Sequence, residues 1–262
     1  MQTVDKAMKL LGYFSVTEPE IGLSELARLA SFDKAATRRF LVALANHGFI
    51  EQDSNTRKYR LGSAFLRLAR IREATRPMAR MVQRALDELT QVTGETAHGS
   101  IFSGEYLSII GVAEPQRPTR VSVEPSQPLP LHATASGLAC LAFLEDDTVR
   151  QILAGTSLRK HTDRTCVSKR ELRVLLAATR ERGYSKAVRT FDDDVISIAA
   201  PIFDATQTAI GAISVASIAS RFNVESERRI ACCVLKAAAG VSEATGGTIH
   251  PAASAAIDRL RT

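Results

Sequence analysis

Four residues near the N-terminus have the types and spacing to hold a polyanion. In "SFDKAATRRFLVALANHGF", Lys34, Ala35 and Arg38 fall at i, i+1 and i+4 of a helical pattern, with Arg39 beside them. The small Ala35 and Ala36 would let a helix backbone come close to a groove wall or to phosphates. Arg can grip a guanine edge with two parallel hydrogen bonds, whereas Lys mainly supplies charge to phosphate. A solvated helix face would carry the same cations, so at this level both readings stand.

A second group lies in "QPLPLHATASG", where His132, Ala133, Thr134 and Ser136 lead into a helix. Free backbone N–H groups at a helix start favour an anion. The competing reading is that the hydroxyls satisfy nearby backbone groups. His98, His132, Asp192 and Cys166 are metal-ligand types, but no two have a spacing such as H-x-x-x-H. No G-x-S-x-G elbow or P-loop occurs, and "ATASG" has Thr134 in place of the first Gly. No catalytic residue, metal or cofactor is therefore expected. Cys140, Cys166, Cys232 and Cys233 form no C-x-x-C pair, which argues against a disulfide framework or structural zinc.

The elements that must position these residues follow from periodicity. Helical spacing runs over 3–15, with Val4, Ala7, Met8, Leu10, Leu11 and Phe14 apolar and Thr3 as N-cap. After a turn at 17–22, Ser24 is expected to cap a second helix with Leu26, Leu29 and Ala30 inward. "SFD" turns into a third helix capped by Asp33, with Phe40, Leu41 and Leu44 inward and an end near Gly48. The strand-like pieces "FIEQ" and "KYRLG" flank a tip, "DSNTRK", that carries Arg57 and Lys58. Three helices and a small hairpin make a winged helix-turn-helix.

Residues 63–93 read as two connected helices rich in arginine, with Pro77 ending or kinking the first near Arg76. Beyond Gly94, "ETAHGSIFSGEYLSIIGVAE" reads as two strands and "TRVSVEP" as a third. Helices are expected at 136–144, 146–153, 168–182 and 224–245. "YSKAV", "VISIAAPIF" and "AIGAISVASI" are further strands. This mixture predicts an α+β chain whose second domain has a mainly antiparallel sheet. The tail "HPAASAAIDRLRT" permits a short helix without requiring one.

Composition narrows the function classes. The chain has 262 residues, 45% hydrophobic and 24% charged, which is globular composition. With aromatics at 5% and no Trp, a surface that works by stacking bases or sugars is disfavoured. The net charge is +6, and residues 1–70 hold 11 Lys and Arg against 7 Asp and Glu. That excess sits with the hairpin and the third helix, and it favours DNA as the partner. No signal-peptide core and no run of about 18 apolar residues occurs, so a reduced, cytoplasmic, membrane-free protein is expected.

In order along the chain, "TVDKAMKLLGYFS", "GLSELARLASFDKAATRRFLVALANHGFIEQD", "PLPLHATASGLACLAFL", "RERGYSKAV" and "SIAAPIFDATQTAIGAISVAS" resemble the IclR-type (isocitrate lyase regulator) bacterial transcription factors. The resemblance covers nearly all of residues 2–245. It implies a winged-helix head, a linker helix and a GAF-like effector-binding domain. It also implies homodimers that can pair into tetramers, and repression or activation of catabolic operons. A small carboxylate, such as a keto acid or an aromatic acid, is the implied effector. It would lie between the 132–136 loop and two late strands, near Ser197 and Ser214.

Departures are visible. Ala35–Ala36 replace the usual Ser-Thr, Ala216 stands where relatives can carry a second serine, and Asp194 replaces a Gly within Asp192–Asp193–Asp194. The expected organisation is a DNA-binding domain at 1–62, a linker helix at 63–76, an effector domain at 77–248 and a tail at 249–262. Ser24, Lys34, Ala35, Arg38, Arg39, Arg57 and Lys58 are the DNA-facing candidates. His132, Ala133, Thr134, Ser136, Asp192, Ser197 and Ser214 are the effector-facing ones. The competing function is an enzyme acting on a small acid.

Overall fold

A computed structural model describes residues 2–75 and 78–261. The chain divides into two compact units, residues 1–77 and 78–262. The expected break at Arg76–Pro77 lies outside the described residues.

The first unit contains α1 (Gln2–Leu11), α2 (Leu23–Ala30), α3 (Lys34–Asn46), the hairpin β1 (Ile50–Gln52) and β2 (Tyr59–Leu61), and α4 (Ala64–Thr75). Its core is a small aliphatic knot of Leu10, Ile21, Leu26, Leu41, Leu44 and Ile50 with Tyr59. Tyr59 and Ile21 exchange both backbone hydrogen bonds at 2.9 Å, which ties the segment before α2 to the hairpin. Ser31 ends α2 in the left-handed region (φ 58°) and donates its N–H back into the helix. Asp33 caps α3 as expected, its carboxylate accepting from the Ala36 N–H at 2.7 Å.

Four local expectations change. Thr3 lies inside α1, and Ser24 lies inside α2, whose N-cap is Gly22 with no side-chain cap bond. Leu29 is exposed and Ala27 is buried in its stead, because the eight-residue α2 turns its 26/27/30 face inward. Val4 and Met8 are exposed, so the apolar stripe of α1 is wider than the unit's own core covers.

The second unit is built on a six-stranded sheet in the order β5-β4-β3-β8-β7-β6, every recorded pairing antiparallel. The strands are β3 (Thr96–Phe102), β4 (Tyr106–Ala113), β5 (Leu129–Pro130), β6 (Ser185–Val188), β7 (Val195–Phe203) and β8 (Ala209–Ile218). Strand period 2 sends alternate residues to opposite faces. One face, with Ile198, Ala200, Ile213 and Val215, packs on α5 (Met78–Thr93) and α9 (Val224–Ala244). The other, with Ala187, Ala199 and Ala212, meets α6 (Ala135–Ala142). Outside α6 lie α7 (Asp146–Gly155) and α8 (Lys169–Arg182).

"TRVSVEP" forms no strand. The segment runs as a loop, held by Thr96 Oγ1 donating to the Val121 carbonyl at 2.6 Å and by Arg221 donating to the Thr119 carbonyl. Its alternation reflects residues that contact other parts of the domain, without a strand partner. The short β5 arises instead inside the expected Pro-containing loop, paired to β4. The tail folds as α10 (Pro251–Arg261), and Ala253, Ala256 and Ile257 join the same core as α9. Among the described residues no helix is long and apolar enough to cross a membrane.

Two substitutions test this packing. A β-carbon at Gly137 in α6 would collide with the backbone of Leu131. Gly137→Ala should therefore cost the second unit about 1–3 kcal/mol in chemical denaturation, and an unchanged midpoint would contradict the close approach. Asp33→Ala should weaken α3 by about 1 kcal/mol, read as faster hydrogen exchange of the α3 amides, with Asp33→Asn largely restoring protection.

Candidate DNA interface and ligand cavity

In the first unit some cations are engaged within the fold, and others, including Arg67, Arg70 and Arg72 of α4, are exposed. Arg28 pairs with Glu25, and Arg60 pairs with Glu20 and Glu51. Lys6 and Lys9 lie over the Phe32 ring. Lys34, Arg38 and Arg39 stay exposed on α3, and among the described residues no carboxylate forms a salt bridge with them. The opposite side of α3 supplies Ala36, Thr37, Leu41 and Leu44 to the interior. Only Ala35 of the two alanines therefore faces outward, and Ala36 is not available to a groove. Ser24 is exposed at the second position of α2.

At the hairpin tip Asp53 builds the turn, accepting from the N–H groups of Asn55 and Thr56. The Thr56 and Asn55 backbone bonds hold its carboxyl below the usual range. Arg57 follows in the left-handed region (φ 58°), and both Arg57 and Lys58 are exposed.

The second unit encloses a cavity of about 100 Å³ between the α6 face of the sheet, the start of α6, the 121–127 loop and the 190–195 turn. This exceeds the roughly 10–15 Å³ that one water needs. Ala133, Thr134, Ser136, Asp192, Ser197 and Ser214 all line it. The sheet register explains the convergence: His98 sits opposite Ser214, and Ser197 opposite Ala216, all on one face of adjacent strands.

The hydroxyls differ in what they have to offer. Thr134 is consumed as the cap of α6, accepting from the Gly137 N–H and donating to the Pro130 carbonyl. Ser214 donates to the Ile198 carbonyl at 3.1 Å. These two match the backbone-satisfying reading. Ser136 Oγ instead lies 3.2 Å from His98 Nε2, in the buried floor.

His132 is not in the wall. It is buried with Nε2 at 2.9 Å from the Arg159 carbonyl, and its ring lies beside His161, which in turn lies against Phe191. It braces the segment behind Phe191, because the chain turns between residues 131 and 134 and sends its ring away from the cavity.

Sequence reading left out His98, Glu124, Gln127, Thr190 and Phe191 as wall residues. His98 is 7% exposed, its Nδ1 has no hydrogen-bond partner, and burial pushes its pKa down to about 4, so the ring is neutral. A signal was available: "AHGSIF" places His98 and Ser100 two apart on a strand, polar groups on one face of a buried sheet. Glu124 belongs to the segment expected as a strand, and Gln127 opens the expected Pro-containing loop, of which only residues 132–136 were read as effector-facing.

Comparison with known proteins closes the question of family. Residues 3–54 match the IclR helix-turn-helix domain and residues 74–243 the bacterial transcriptional regulator IclR C-terminal domain. The chain is 29% identical to the transcriptional repressor IclR of Escherichia coli (strain K12) over 254 residues, 94% of this chain and 91% of that protein. A crystal structure from Silicibacter sp. TM1040, assigned as an IclR transcriptional regulator, superposes with TM-score 0.87 at 38% identity, covering 95% of this chain and 98% of the other. An IclR homolog from Microbacterium hydrocarbonoxydans, solved with 4-hydroxybenzoate, shares the fold at TM-score 0.75 and 20% identity, covering 92% and 98%. The chain belongs to the IclR family of bacterial transcriptional regulators, which are not enzymes, with an N-terminal helix-turn-helix domain and a C-terminal effector domain.

Proposed function

We propose that this regulator controls a catabolic operon in the cytoplasm by sensing a small organic acid in the cavity of its second unit. The observation that carries the DNA half is the clustering of exposed cations on α3 and at the hairpin tip, with Arg67, Arg70 and Arg72 of α4 exposed as well. Lys34, Arg38 and Arg39 lie on one exposed helix face, and Arg57 and Lys58 at the hairpin tip, while Arg28 and Arg60 are neutralised. In this reading α3 enters a major groove with Arg38 and Arg39 forward and Ala35 allowing close approach. Ser24 contacts phosphate from α2, and Arg57 and Lys58 reach the flanking backbone.

The effector half rests on the cavity. A buried floor with a neutral His98, Ser136 and the start of α6 can accept a carboxylate, and Ser197 and Ser214 lie on the adjoining strands. Ala133, Thr134 and Asp192 complete the wall; His132 acts from behind it. The relative solved with 4-hydroxybenzoate supports an acid of this size.

Homodimerisation is supported by large apolar side chains left exposed on α1 and α4: Val4, Met8, Leu66, Leu68 and Ile71. Two heads would then read half-sites about one helical turn apart or a multiple of it.

Fluorescence anisotropy on DNA from upstream of its gene, against scrambled DNA, tests the DNA half. The Arg38→Ala/Arg39→Ala variant should bind roughly tenfold or more weakly and lower the slope of log affinity against log salt by about 2 per head engaged. Equal binding to both DNAs, or a variant with the wild-type slope, would contradict the assignment.

A further inference from the structure

The cavity has a charge gradient along its depth. At the buried end are His98, with its unpartnered Nδ1, and Ser136, 1% exposed, at the second position of α6. At the exposed end stand two carboxylates, Glu124 and Asp192, with Gln127. Between the ends the wall is mainly apolar: Ile109, Leu129, Ala187, Val195 and Ala216, with Phe191.

Among the described residues neither Lys nor Arg lines the cavity. The cations of the loop that covers it are committed elsewhere. Arg117 pairs with Glu95 and Arg120 with Glu114, while Arg221 from beyond β8 also holds Glu95. Each mouth carboxylate uses one recorded oxygen in its own turn: Glu124 accepts from Ser126, and Asp192 accepts from the Asp194 N–H. Among the described residues no Lys or Arg forms an ion pair with either.

We infer that the effector is a monocarboxylate with an apolar middle whose far end carries a hydrogen-bond donor or a positive charge, and that dicarboxylates and phosphorylated acids are rejected. The inference rests on the proposal that this cavity is the effector site. One anionic group is accommodated at the floor, where neutral donors and backbone N–H groups meet it without a counter-charge. A second negative group would reach the mouth and face Glu124 and Asp192, where like charges repel and no lysine or arginine lines the wall. An ammonium or hydroxyl at that position is met by acceptors instead. Amino acids and hydroxy acids of about benzoate size fit this pattern; diacids of the same length do not. The selectivity is set by exclusion at the mouth as much as by attraction at the floor.

Three para-substituted benzoates of similar length separate the alternatives by isothermal titration calorimetry on the full-length chain. These are 4-(aminomethyl)benzoate, its near-isostere 4-ethylbenzoate, and terephthalate. The expected order is aminomethyl tightest and terephthalate weakest, with a span of about 100-fold. The exposed substitutions Glu124→Gln and Asp192→Asn, made together, should compress that span to about tenfold or less, mainly by admitting terephthalate. If 4-ethylbenzoate binds and terephthalate binds equally well, or the double variant leaves the order unchanged, the charge rule is overturned and the effector site stands. If none of the three binds, the small-acid reading of the cavity falls, and this inference with it.

Discussion

The second unit depends on how closely α6 can approach the sheet. All eight residues of this helix are buried, and the contact is made by alanines on both sides: Ala135 and Ala139 against Ala187, Ala199 and Ala212. Side chains of this size let a helix backbone settle far nearer a sheet than leucine or isoleucine would allow. Gly137 extends the same constraint to the loop, since its missing β-carbon admits the backbone of Leu131. The Ser185 hydroxyl closes the contact by donating to the Ala135 carbonyl at 2.6 Å. The start of α6 is thereby fixed over the strands that carry His98, Ser197 and Ser214. The cavity is the space left where the packed alanines give way to polar residues.

Polar groups placed in such a wall must either find partners or wait for them. Thr134 both donates to and accepts from backbone, Ser214 donates to the Ile198 carbonyl, and removing a partner from buried groups of this kind costs about 1–3 kcal/mol. His98 is different: burial keeps it neutral, and one ring nitrogen has no partner. In the first unit the logic is reversed. The aliphatic knot under α3 is fully satisfied, and what remains unmet is exposed positive charge, which a polyanion can neutralise with release of its counterions. For regulation, the ligand must favour one arrangement of the heads over another; couplings of about 1–3 kcal/mol are typical, a change in DNA affinity of roughly 5–150-fold.

The fold was legible wherever periodicity and capping agreed. Asp33 capped the helix it was expected to cap, and the hairpin, the late strands and α9 fell where alternation and helical spacing put them. The failures share a cause, which is that local pattern does not name its partner. "TRVSVEP" alternates like a strand, yet Thr96 and Arg221 hold it as a loop. Ser24 has the right residue type for a cap, but α2 starts two residues earlier than that cap would place it, at Leu23 after Gly22. His132 sits among wall residues in sequence and points behind them in space. His98 and Glu124 stand 26 positions apart in sequence, and only the fold brings them to opposite ends of one cavity. Small residues such as Ala187 and Ala212 carried no signal at all, although they form the contact between α6 and the sheet.

The central claim is that filling the cavity changes how the protein holds DNA. It is tested most directly by measuring affinity for upstream DNA with and without a saturating acid already shown by calorimetry to bind, in wild type and in Ser197→Phe. Ser197 is a half-buried wall residue, so the larger ring should fill the cavity while leaving the alanine contact intact. The account predicts a shift of at least about fivefold in the wild type and none in the variant, whose DNA affinity stays at one fixed value. An acid that occupies the wild-type cavity and leaves DNA affinity unchanged would contradict it.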